Sequence, residues 1–302
     1  MSANISKFQD FLELKKIKHK TNVPFFVLAH LKLGGTADLV AYPKCEHEFC
    51  EILYHARKMQ LRCKVVGRMS NILPPDGHFD GILVSTSDFN RVMVNGTHVT
   101  AESGAFLPRL AKLLCKSGLS AFEELSGIPA SVGGAVYMNA GAYGKEISDM
   151  LISARVYDFY SDNVVTKYKE ELGFAYRKSL LSDRRMYLLS ADFACKSELW
   201  SLISERMALY LAKRKETQPL SYPSLGSTFK KHNGQSAGYY IDSAGLKGFS
   251  VGDAEVSKIH ANFLINKGNA TREDYLKLIN EVKKRVSNFH GITLEEEIEY
   301  FN

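Results

Sequence analysis

Two stretches of small residues are the first candidates for chemistry in this sequence. The longer one, residues 126–144, reads SGIPASVGGAVYMNAGAYG. Because it has few bulky side chains, its main chain can approach a large ligand closely, and its free N–H groups can bind a diphosphate. Its apolar members can flank a flat ring. The segment therefore favours a nucleotide or flavin site, and a tightly packed turn between strands is the alternative.

The shorter stretch, residues 67–73, reads GRMSNIL and follows an apolar run. Its hydroxyl, amide and main-chain groups can hold phosphate oxygens and its arginine adds positive charge, although an ordinary turn has a similar composition. The two stretches supply the candidate cofactor-binding residues. In the shorter stretch these are Gly67, Arg68, Met69, Ser70, Asn71 and Ile72, and in the longer one they are Ser126, Gly127, Ile128, Pro129, Ser131, Val132, Gly133, Gly134, Asn139, Gly141 and Ala142.

Three side chains outside these stretches are candidates for catalysis. Ser227 follows Gly226, an arrangement that can present a hydroxyl to a ligand, although loop serines more commonly cap turns. Arg177 stands among aromatic residues and can clamp a carboxylate through two hydrogen bonds, or can simply lie over Tyr176. Glu297 is one of three alternating glutamates near the C-terminus, and a charged edge strand explains that alternation equally well.

The motifs of several other chemistries are missing. No GxGxxG follows a predicted strand, and neither GxxxxGK[ST] nor GxSxG occurs, which excludes the Rossmann, P-loop and hydrolase-elbow sites. The 5 cysteines form no CxxC pair and the 9 histidines lack zinc-ligand spacing. We therefore expect neither a disulfide framework nor a metal site.

Composition and charge narrow the class of protein. The chain has 302 residues, of which 45% are hydrophobic and 24% charged, as in globular proteins. Its net charge of +6 suits anionic ligands such as nucleotides and diphosphates, and would also suit nucleic acid. The N-terminus has no apolar targeting segment, and no apolar run is long enough to span a bilayer. We therefore expect a cytoplasmic protein without a membrane partner.

Hydrophobic periodicity predicts the elements that position these residues. Up to residue 197, strands and helices alternate, which indicates a mixed α/β domain. Helices are expected over residues 5–16, 46–60 and 106–116, and strands over residues 36–42, 63–67, 81–85, 97–102, 151–159, 163–168 and 186–193.

The pattern changes after residue 197. A helix over 198–215 is expected to turn Trp200, Ile203, Met207 and Tyr210 to one face, and a helix over 271–289 is expected to bury Phe289. Between them we expect a loop over 221–227, a short helix over 237–244 and a strand over 262–266, and a last strand over 292–301. The predicted domains are an N-terminal helical extension over 1–17, a cofactor domain over 18–197 and a smaller domain over 198–302.

Taken together and in order, several stretches resemble landmarks of the UDP-N-acetylenolpyruvoylglucosamine reductase family. The resemblance covers residues 31–301, and the short chain looks like the compact subtype of that family. The landmarks are LGGTAD at 33–38, the stretch 126–144, YRKS at 176–179, GSTFK at 226–230, AGLKG at 244–248, Val256 and Ser257 with His260, and NFLIN at 262–266.

The resemblance implies an α+β fold, with an FAD-binding domain of the vanillyl-alcohol-oxidase (PCMH) type followed by a smaller α/β substrate-binding domain. It implies that noncovalent FAD and NADPH reduce the enolpyruvyl group of a UDP-sugar, in a ping-pong cycle of peptidoglycan precursor synthesis. In the matched positions Ser227 resembles the proton donor, and Arg177 and Glu297 resemble the pair beside the substrate carboxylate. The chain departs from the family pattern in several places, among them Met69, where glycine is usual.

Three other functions are alternatives at this point. A non-catalytic flavin- or nucleotide-binding paralogue would show no turnover that depends on the UDP-sugar. An FAD-linked sugar oxidase would reduce oxygen and need no NADPH. A nucleic-acid binder, which we do not expect, would be colourless and would bind DNA with a steep salt dependence.

Overall fold

The computed structural model describes residues 3–183 and 185–301. The chain folds into two compact units, each of them discontinuous in sequence. Unit 1 comprises the described residues of Met1–Thr21, Asp38–Arg68 and Asp80–Ala212. Unit 2 comprises those of Asn22–Ala37, Met69–Phe79 and Lys213–Asn302.

Helices and strands alternate along most of the described chain. The α-helices are α1 (Ala3–Leu14), α2 (Phe25–Leu28), α3 (Glu46–Lys58), α4 (Leu107–Lys116), α5 (Val132–Tyr137), α6 (Trp200–Thr217), α7 (Ala237–Ser243) and α8 (Arg272–His290). The strands are β1 (His19–Pro24), β2 (Thr36–Ala41), β3 (Cys63–Val66), β4 (Ile72–Leu73), β5 (Phe79–Ser85), β6 (Val92–Asn95), β7 (His98–Glu102), β8 (Leu119–Ser120), β9 (Gly141–Ala142), β10 (Lys145–Glu146), β11 (Leu151–Asp158), β12 (Asn163–Tyr168), β13 (Met186–Ala194), β14 (Lys196–Ser197), β15 (Ser224–Ser227), β16 (Ser250–Val251), β17 (Ala254–Val256), β18 (Phe263–Asn266) and β19 (Glu299–Tyr300).

The first sheet of unit 1 has the strand order β1-β2-β5-β3. Strands β3 and β5 run parallel, with Cys63 opposite Ile82. Helices α1 and α3 pack into the same apolar cluster as this sheet. Helix α3 buries the apolar stripe that its periodicity predicts, Phe49, Ile52, Leu53 and Ala56. The sheet thus brings the residues that follow β3 and β5 to one edge, since parallel strands end on the same side.

The second sheet of unit 1 is antiparallel, with the order β12-β11-β13-β7-β6. Helices α4 and α5 share a large apolar cluster with it. Helix α4 contributes Leu107, Leu110, Ala111 and Leu114 to that cluster, as an amphipathic helix should. Helix α5, which carries the middle of the small-residue stretch, is therefore held by core packing and not by its own propensity.

The first part of helix α6 is attached to unit 1 by an ion pair. Arg206 donates hydrogen bonds to Glu123 (2.7 Å to Oε1) and to Glu198, and Ser120 donates to the same Glu123 oxygen at 2.7 Å. Burial alone would raise the pKa of Glu123, but the hydrogen bonds from Arg206 and Ser120 outweigh it and the pKa lies below its usual value. This attachment extends unit 1 to Ala212, whereas the predicted domain boundary lies at 197/198.

Unit 2 is built on an antiparallel sheet with the order β15-β18-β17-β16. Helix α8 begins with a capping box between Thr271 and Asp274 and is followed by Gly291 in the left-handed region, with φ +69°. Its buried stripe, Tyr275, Leu278, Ile279, Val282 and Val286, packs in the same cluster as α7 and the sheet. Strand β19 pairs in parallel with β4.

The predicted secondary structure is wrong at two places in unit 2. The predicted loop 221–227 includes strand β15, because Ser224 and Ser227 pair with Ile265 and Phe263 of β18. The predicted strand 292–301 is a strand only at Glu299–Tyr300. Within this segment, Glu296 forms an isolated β-bridge with Phe229, and Glu299–Tyr300 then pair with β4. Because the segment changes its pairing partner, it does not form one continuous strand.

Two aromatic residues that the helical pattern turns inward are exposed instead. Trp200 is 64% exposed and Phe289 is 67% exposed. Both lie in a terminal turn of their helix. The hydrophobic period of the sequence continues there, but the helix is no longer packed against a core.

The sequence also leads to expectations about disulfide bonds and membrane-spanning segments. All 5 cysteines are free thiols. Among the helices in residues 3–183 and 185–301, none combines the length and apolar character that crossing a lipid bilayer requires. The mixture of helices with mainly antiparallel sheets confirms the α+β class.

Replacing Arg206 with Met should lower the free energy of unfolding by roughly 3 kcal/mol, because the buried Glu123 carboxylate loses its cation. Urea unfolding at pH 7 measures this loss, and Lys213→Met, at an exposed position of α6, should stay within about 0.5 kcal/mol of wild type. The folded-state pKa of Glu123 is depressed, so its contribution is complete above the unfolded pKa of about 4.3 and is lost as the pH falls through the folded pKa. The difference between wild type and Arg206→Met should therefore shrink in acid. Equal stabilities at pH 7 would contradict this role.

Candidate active site

Gly67 follows strand β3 and lies directly against Ser131. A Cβ atom on Gly67 would stand 2.2 Å from Ser131 Oγ, so a larger residue does not fit without a shift. Ser131 is the N-cap of α5, and its Oγ accepts a hydrogen bond from the N–H of Gly134 at 3.3 Å. The two stretches of small residues, far apart in sequence, therefore meet in unit 1.

Two buried hydroxyl groups beside this junction make no hydrogen bond within residues 3–183 and 185–301. They belong to Thr86, which follows β5, and to Ser103, which follows β7. Thr86 Oγ1 is 4.0 Å from the place of a Gly67 Cβ, and the Ser103 Cβ is 3.2 Å from that of a Gly133 Cβ. Buried polar atoms are almost always paired, so these hydroxyls indicate a polar ligand. No sequence motif distinguishes either residue, although each directly follows a predicted strand.

The expectation of free N–H groups in the longer stretch is wrong for the first turn of α5. The N–H of Val132 donates to the Ala105 carbonyl at 2.8 Å, and that of Gly133 donates to the Ser103 carbonyl at 2.7 Å. The N–H groups of Gly134 and Ala135 bond to the side chain and carbonyl of Ser131. The small residues thus let α5 lie close to neighbouring main chain, and this turn is not an open anion nest.

The other members of the longer stretch differ in how accessible they are. Val132 is fully buried in the apolar core, and Ser126 is buried with its Oγ donating to the Glu123 carbonyl at 2.7 Å. Asn139 is 1% exposed, and its amide donates both to Glu146 and to the Ala175 carbonyl. The partly or fully accessible members are Gly127, Ile128, Pro129, Gly133, Gly134, Gly141 and Ala142.

Positive charge accompanies the junction in unit 1. The guanidinium of Arg68 lies 4.4 Å from the centroid of the Phe106 ring. Although the residue is exposed, partial burial of its guanidinium and the charge of Arg109 lower the pKa of Arg68. The two like charges of Arg68 and Arg109 suit an anionic ligand.

Arg177 occupies a tight turn of unit 1. Ala175 and Lys178 exchange main-chain hydrogen bonds across it, and Arg177 has a left-handed conformation with φ +56°. Its Nη2 donates to the Gly141 carbonyl at 3.2 Å, and its guanidinium lies 4.9 Å from the centroid of the Tyr176 ring. The expected placement over Tyr176 is thus present, together with a second contact that fixes the guanidinium to the longer stretch.

Ser227 ends strand β15 beside a bulge in unit 2. Between Ser224 and Ser227 the pairing with β18 shifts register, and Gly226 has φ +77°, a conformation that favours glycine. Such bulges re-aim the side chains that follow them. Ser227 is partly exposed, and its hydroxyl makes no hydrogen bond within residues 3–183 and 185–301. It is therefore available to a ligand.

Glu297 lies next to the segment that carries Ser227. Its N–H donates to the Thr228 carbonyl at 2.8 Å, and its own carbonyl accepts from Asn71 Nδ2 at 3.0 Å. Unit 2 thus brings together Ser227, Glu297 and a residue of the shorter stretch. Met69, in the same stretch, is buried and has φ +47°. Ser70 and Ile72 are partly exposed.

Each unit therefore offers a distinct chemistry. Unit 1 has buried hydroxyls, positive charge and an oriented guanidinium, which suit a diphosphate and a carboxylate. Unit 2 has an accessible hydroxyl near a glutamate, which suits proton transfer. No group of three or more His, Cys, Asp and Glu side chains in the described residues could hold a metal ion.

Comparisons with known proteins match both parts of the chain. Residues 37–166 match a family model described as an FAD binding domain. This match contains Gly67, Thr86, Ser103 and Ser131, so the orphaned hydroxyls and the glycine junction fit the cofactor named by that model. FAD is accordingly the cofactor of this chain. Residues 218–301 match the model of the UDP-N-acetylenolpyruvoylglucosamine reductase C-terminal domain.

Whole relatives match over nearly the full chain. A UDP-N-acetylenolpyruvoylglucosamine reductase of Streptococcus suis is 40% identical over 287 residues, which cover 95% of either chain. The protein of that name from Latilactobacillus sakei is 39% identical over 296 residues, which cover 97% of either chain. The crystal structure of the UDP-N-acetylenolpyruvylglucosamine reductase from Thermus caldophilus superposes with a TM-score of 0.80 at 33% identity, covering 95% of this chain and 99% of that one. The expected fold type of the FAD domain is confirmed.

Replacing Gly67 with Ala should lower both FAD content and stability, because the new Cβ would overlap Ser131 Oγ. Overpacking of this kind costs about 1–3 kcal/mol. FAD released on denaturation and the melting temperature measure the two effects. Gly77→Ala is the matched control, since a Cβ there has no atom within 4 Å. In a double-mutant cycle with Ser131→Ala, the loss should be smaller than the sum of the single losses. If Gly67→Ala behaves like Gly77→Ala, the junction does not hold the cofactor.

Proposed function

As the chain belongs to the UDP-N-acetylenolpyruvoylglucosamine reductase family, a family of FAD-dependent oxidoreductases, we propose that it reduces UDP-N-acetyl-enolpyruvoylglucosamine to UDP-N-acetylmuramate for peptidoglycan synthesis, with NADPH as hydride donor. The observation that carries this proposal is similarity along nearly the whole chain. We propose Arg177, Ser227 and Glu297 as the catalytic residues, because their sequence surroundings resemble the catalytic positions of the family. No nucleic acid and no membrane is needed as a partner.

The proposed cofactor residues are the two small-residue stretches together with Thr86 and Ser103. The hydroxyls of Thr86 and Ser103 and the guanidinium of Arg68 suit the FAD diphosphate, because they supply donors and positive charge in unit 1. Bound FAD would supply the hydride chemistry, by accepting hydride from NADPH and delivering it to the terminal alkene carbon of the substrate. The main chain of 67–68 and 131–134 would set how closely the cofactor approaches.

Arg177 is the proposed contact for the substrate carboxylate. Hydride addition to the terminal carbon leaves negative charge on the carbon next to the carboxylate, delocalised as an enolate. A guanidinium that is already held in place by the Gly141 carbonyl can stabilise this charge without reorganising during the reaction. The tight turn at Arg177 supports this role, since non-glycine residues rarely adopt its φ.

Ser227 is the proposed proton donor. The enolate carbon requires a proton to complete the reduction, and a carbanion is a strong enough base to take it from a hydroxyl. The hydroxyl has no competing hydrogen bond in the described residues, and the bulge at Gly226 sets its direction. Glu297 is the proposed second group beside the carboxylate, and its main chain is fixed by Thr228 and Asn71.

The proposed location is the cytoplasm, where NADPH and nucleotide-activated sugars are made. The 5 free thiols accord with a reducing compartment. The proposed domains remain those expected from the sequence, a cofactor domain over 18–197 and a substrate domain over 198–302 after the N-terminal extension.

One observation favours the second candidate, a non-catalytic paralogue. Met69 stands where the family pattern has glycine, and its φ of +47° is unfavourable for a residue with a side chain. Weaker FAD binding at this loop would be the consequence. Turnover that depends on the UDP-sugar separates this candidate from the reductase, and oxygen consumption without NADPH would indicate a sugar oxidase.

Stopped-flow measurement of the two half-reactions tests the function and the role of Ser227. NADPH should bleach the flavin of wild type, and the UDP-sugar should reoxidise it. Ser227→Ala should leave bleaching unchanged and slow reoxidation by about 10²–10⁴, the usual contribution of a general acid. A Cys at this position should restore part of the rate, since a thiol also donates a proton.

Ser250→Ala, in strand β16 of the same sheet, is the matched control for this experiment. It should leave both half-reactions at the wild-type rate. Equal slowing of both halves by Ser227→Ala, or of neither, would remove Ser227 from the role of proton donor. Absence of reoxidation in wild type would refute the reductase function itself.

Arg177→Lys and Glu297→Gln should each lower turnover by about 10²–10³, the typical loss of one group that stabilises an oxyanion. Lysine keeps the charge of Arg177 but cannot form its paired hydrogen bonds. Steady-state NADPH oxidation measures the loss, and Arg185→Lys and Glu281→Gln, both in surface ion pairs, are the matched controls. Near-normal turnover in both site variants, with unaltered folding, would show that these residues do not form the site.

A further inference from the structure

The carboxylate of Glu146 lies beside Arg177 in unit 1. Glu146 Oε1 is 4.0 Å from Arg177 Nη1, while the other terminal nitrogen, Nη2, bonds to the Gly141 carbonyl. The Arg177 side chain is only 17% exposed. A guanidinium has five N–H donors in one plane, so contacts at both terminal nitrogens restrict its rotation.

Glu146 is itself held by the buried Asn139. One amide hydrogen of Asn139 donates to Glu146 Oε2 at 2.7 Å, and the amide also donates to the Ala175 carbonyl at 3.2 Å. Asn139 Oδ1 accepts from the N–H of Ser148 at 3.1 Å. Ala175 begins the turn that carries Arg177. Asn139 therefore connects the Glu146 carboxylate to the main chain of that turn.

The segment that carries Glu146 is a short hairpin with defined register. Gly141 is opposite Glu146 and Ala142 is opposite Lys145. At its tip, Tyr143 stacks on Tyr210 with the ring centroids 4.7 Å apart, and the Tyr143 hydroxyl donates to the Tyr210 carbonyl at 3.3 Å. Glu146 and the Gly141 carbonyl therefore lie on opposite strands of one hairpin, and both contact Arg177.

We propose that Glu146 is a positioning residue that orients the Arg177 guanidinium toward the carboxylate of the substrate. This inference rests on the proposed function of Arg177. The position of Glu146 has two opposite effects. Its negative charge weakens the attraction between Arg177 and an anionic ligand, whereas its contact restricts rotation of the guanidinium. Removing the charge should therefore favour binding of the substrate and disfavour reaction.

Glu146→Gln should bind the UDP-sugar to oxidised enzyme as tightly as wild type or a few-fold more tightly. It should slow reoxidation by the UDP-sugar about 10- to 100-fold, the order of loss caused by a misplaced group. Bleaching by NADPH should be unchanged. Glu146→Asp restores the charge without the reach, so it should bring binding back to the wild-type value while reoxidation stays slow. Glu51→Gln, which removes a carboxylate paired with Lys15, is the matched control and should change neither quantity.

A second measurement tests the coupling without any turnover. The ¹⁵N-arginine spectrum of the holoenzyme should contain one side-chain signal that disappears in Arg177→Lys. Glu146→Gln should shift or broaden that signal, and Glu51→Gln should not. If wild type is not reoxidised by the UDP-sugar, the proposed function fails and this spectrum alone decides whether Glu146 positions Arg177.

Three results would overturn the proposal. An Arg177 signal in Glu146→Gln that coincides with that of wild type would show that the carboxylate does not hold the guanidinium. Equal slowing of the two half-reactions, together with a lower melting temperature, would indicate a merely structural residue. Weaker binding of the UDP-sugar at an unchanged reoxidation rate would reverse the expected division between binding and reaction.

Discussion

The contact between Gly67 and Ser131 is the constraint on which the cofactor part of the structure depends. It brings the residue after β3 against the N-cap of α5 at a distance that excludes a side chain. The first turn of α5 then uses its N–H groups on the main chain around Ser103 and Ala105. These N–H groups therefore have main-chain partners, whereas the hydroxyls of Thr86 and Ser103 are buried and unpaired among the described residues. Unpaired buried hydroxyls are costly, and a bound diphosphate would remove that cost.

The candidate catalytic residues lie where the main chain leaves regular geometry. Arg177 has a left-handed φ inside a tight turn, and Ser227 follows a bulge whose Gly226 is also left-handed. Irregular conformations of this kind persist only where the surroundings over-determine them. Main-chain hydrogen bonds across the turn hold Arg177 in place, and the pairing of β15 with β18 holds the segment that carries Ser227. The chain therefore bears backbone strain at Arg177, where the proposed reaction requires a fixed guanidinium, and uses an unstrained glycine before Ser227, where it requires an accessible hydroxyl.

Periodicity predicts the helices and strands of this fold well, but it predicts poorly which distant residues contact one another. The buried stripe of α3 follows directly from spacing within one helix, because every residue of that stripe meets the same core. The contact of Glu146 with Arg177 depends on two turns that β11 and β12 separate in sequence, and no local pattern contains it. The small residues of 126–144 correctly indicate close main-chain approach. They do not reveal that the neighbouring main chain, at Ser103 and Ala105, takes up the N–H groups expected for a ligand.

Met69 shows how a departure from a family pattern can be nearly neutral in energy. A left-handed conformation costs a residue with a Cβ roughly 1–2 kcal/mol relative to glycine. The side chain of Met69 is 2% exposed, and burying a methionine contributes about 1.5–3 kcal/mol. Glycine would remove the strain and also the buried apolar surface, so the two terms are of similar size and opposite sign. The substitution alters how the loop is stabilised without removing its main-chain groups. It therefore weighs little against FAD binding, and the proposal of a catalytic protein is supported by similarity along nearly the whole chain.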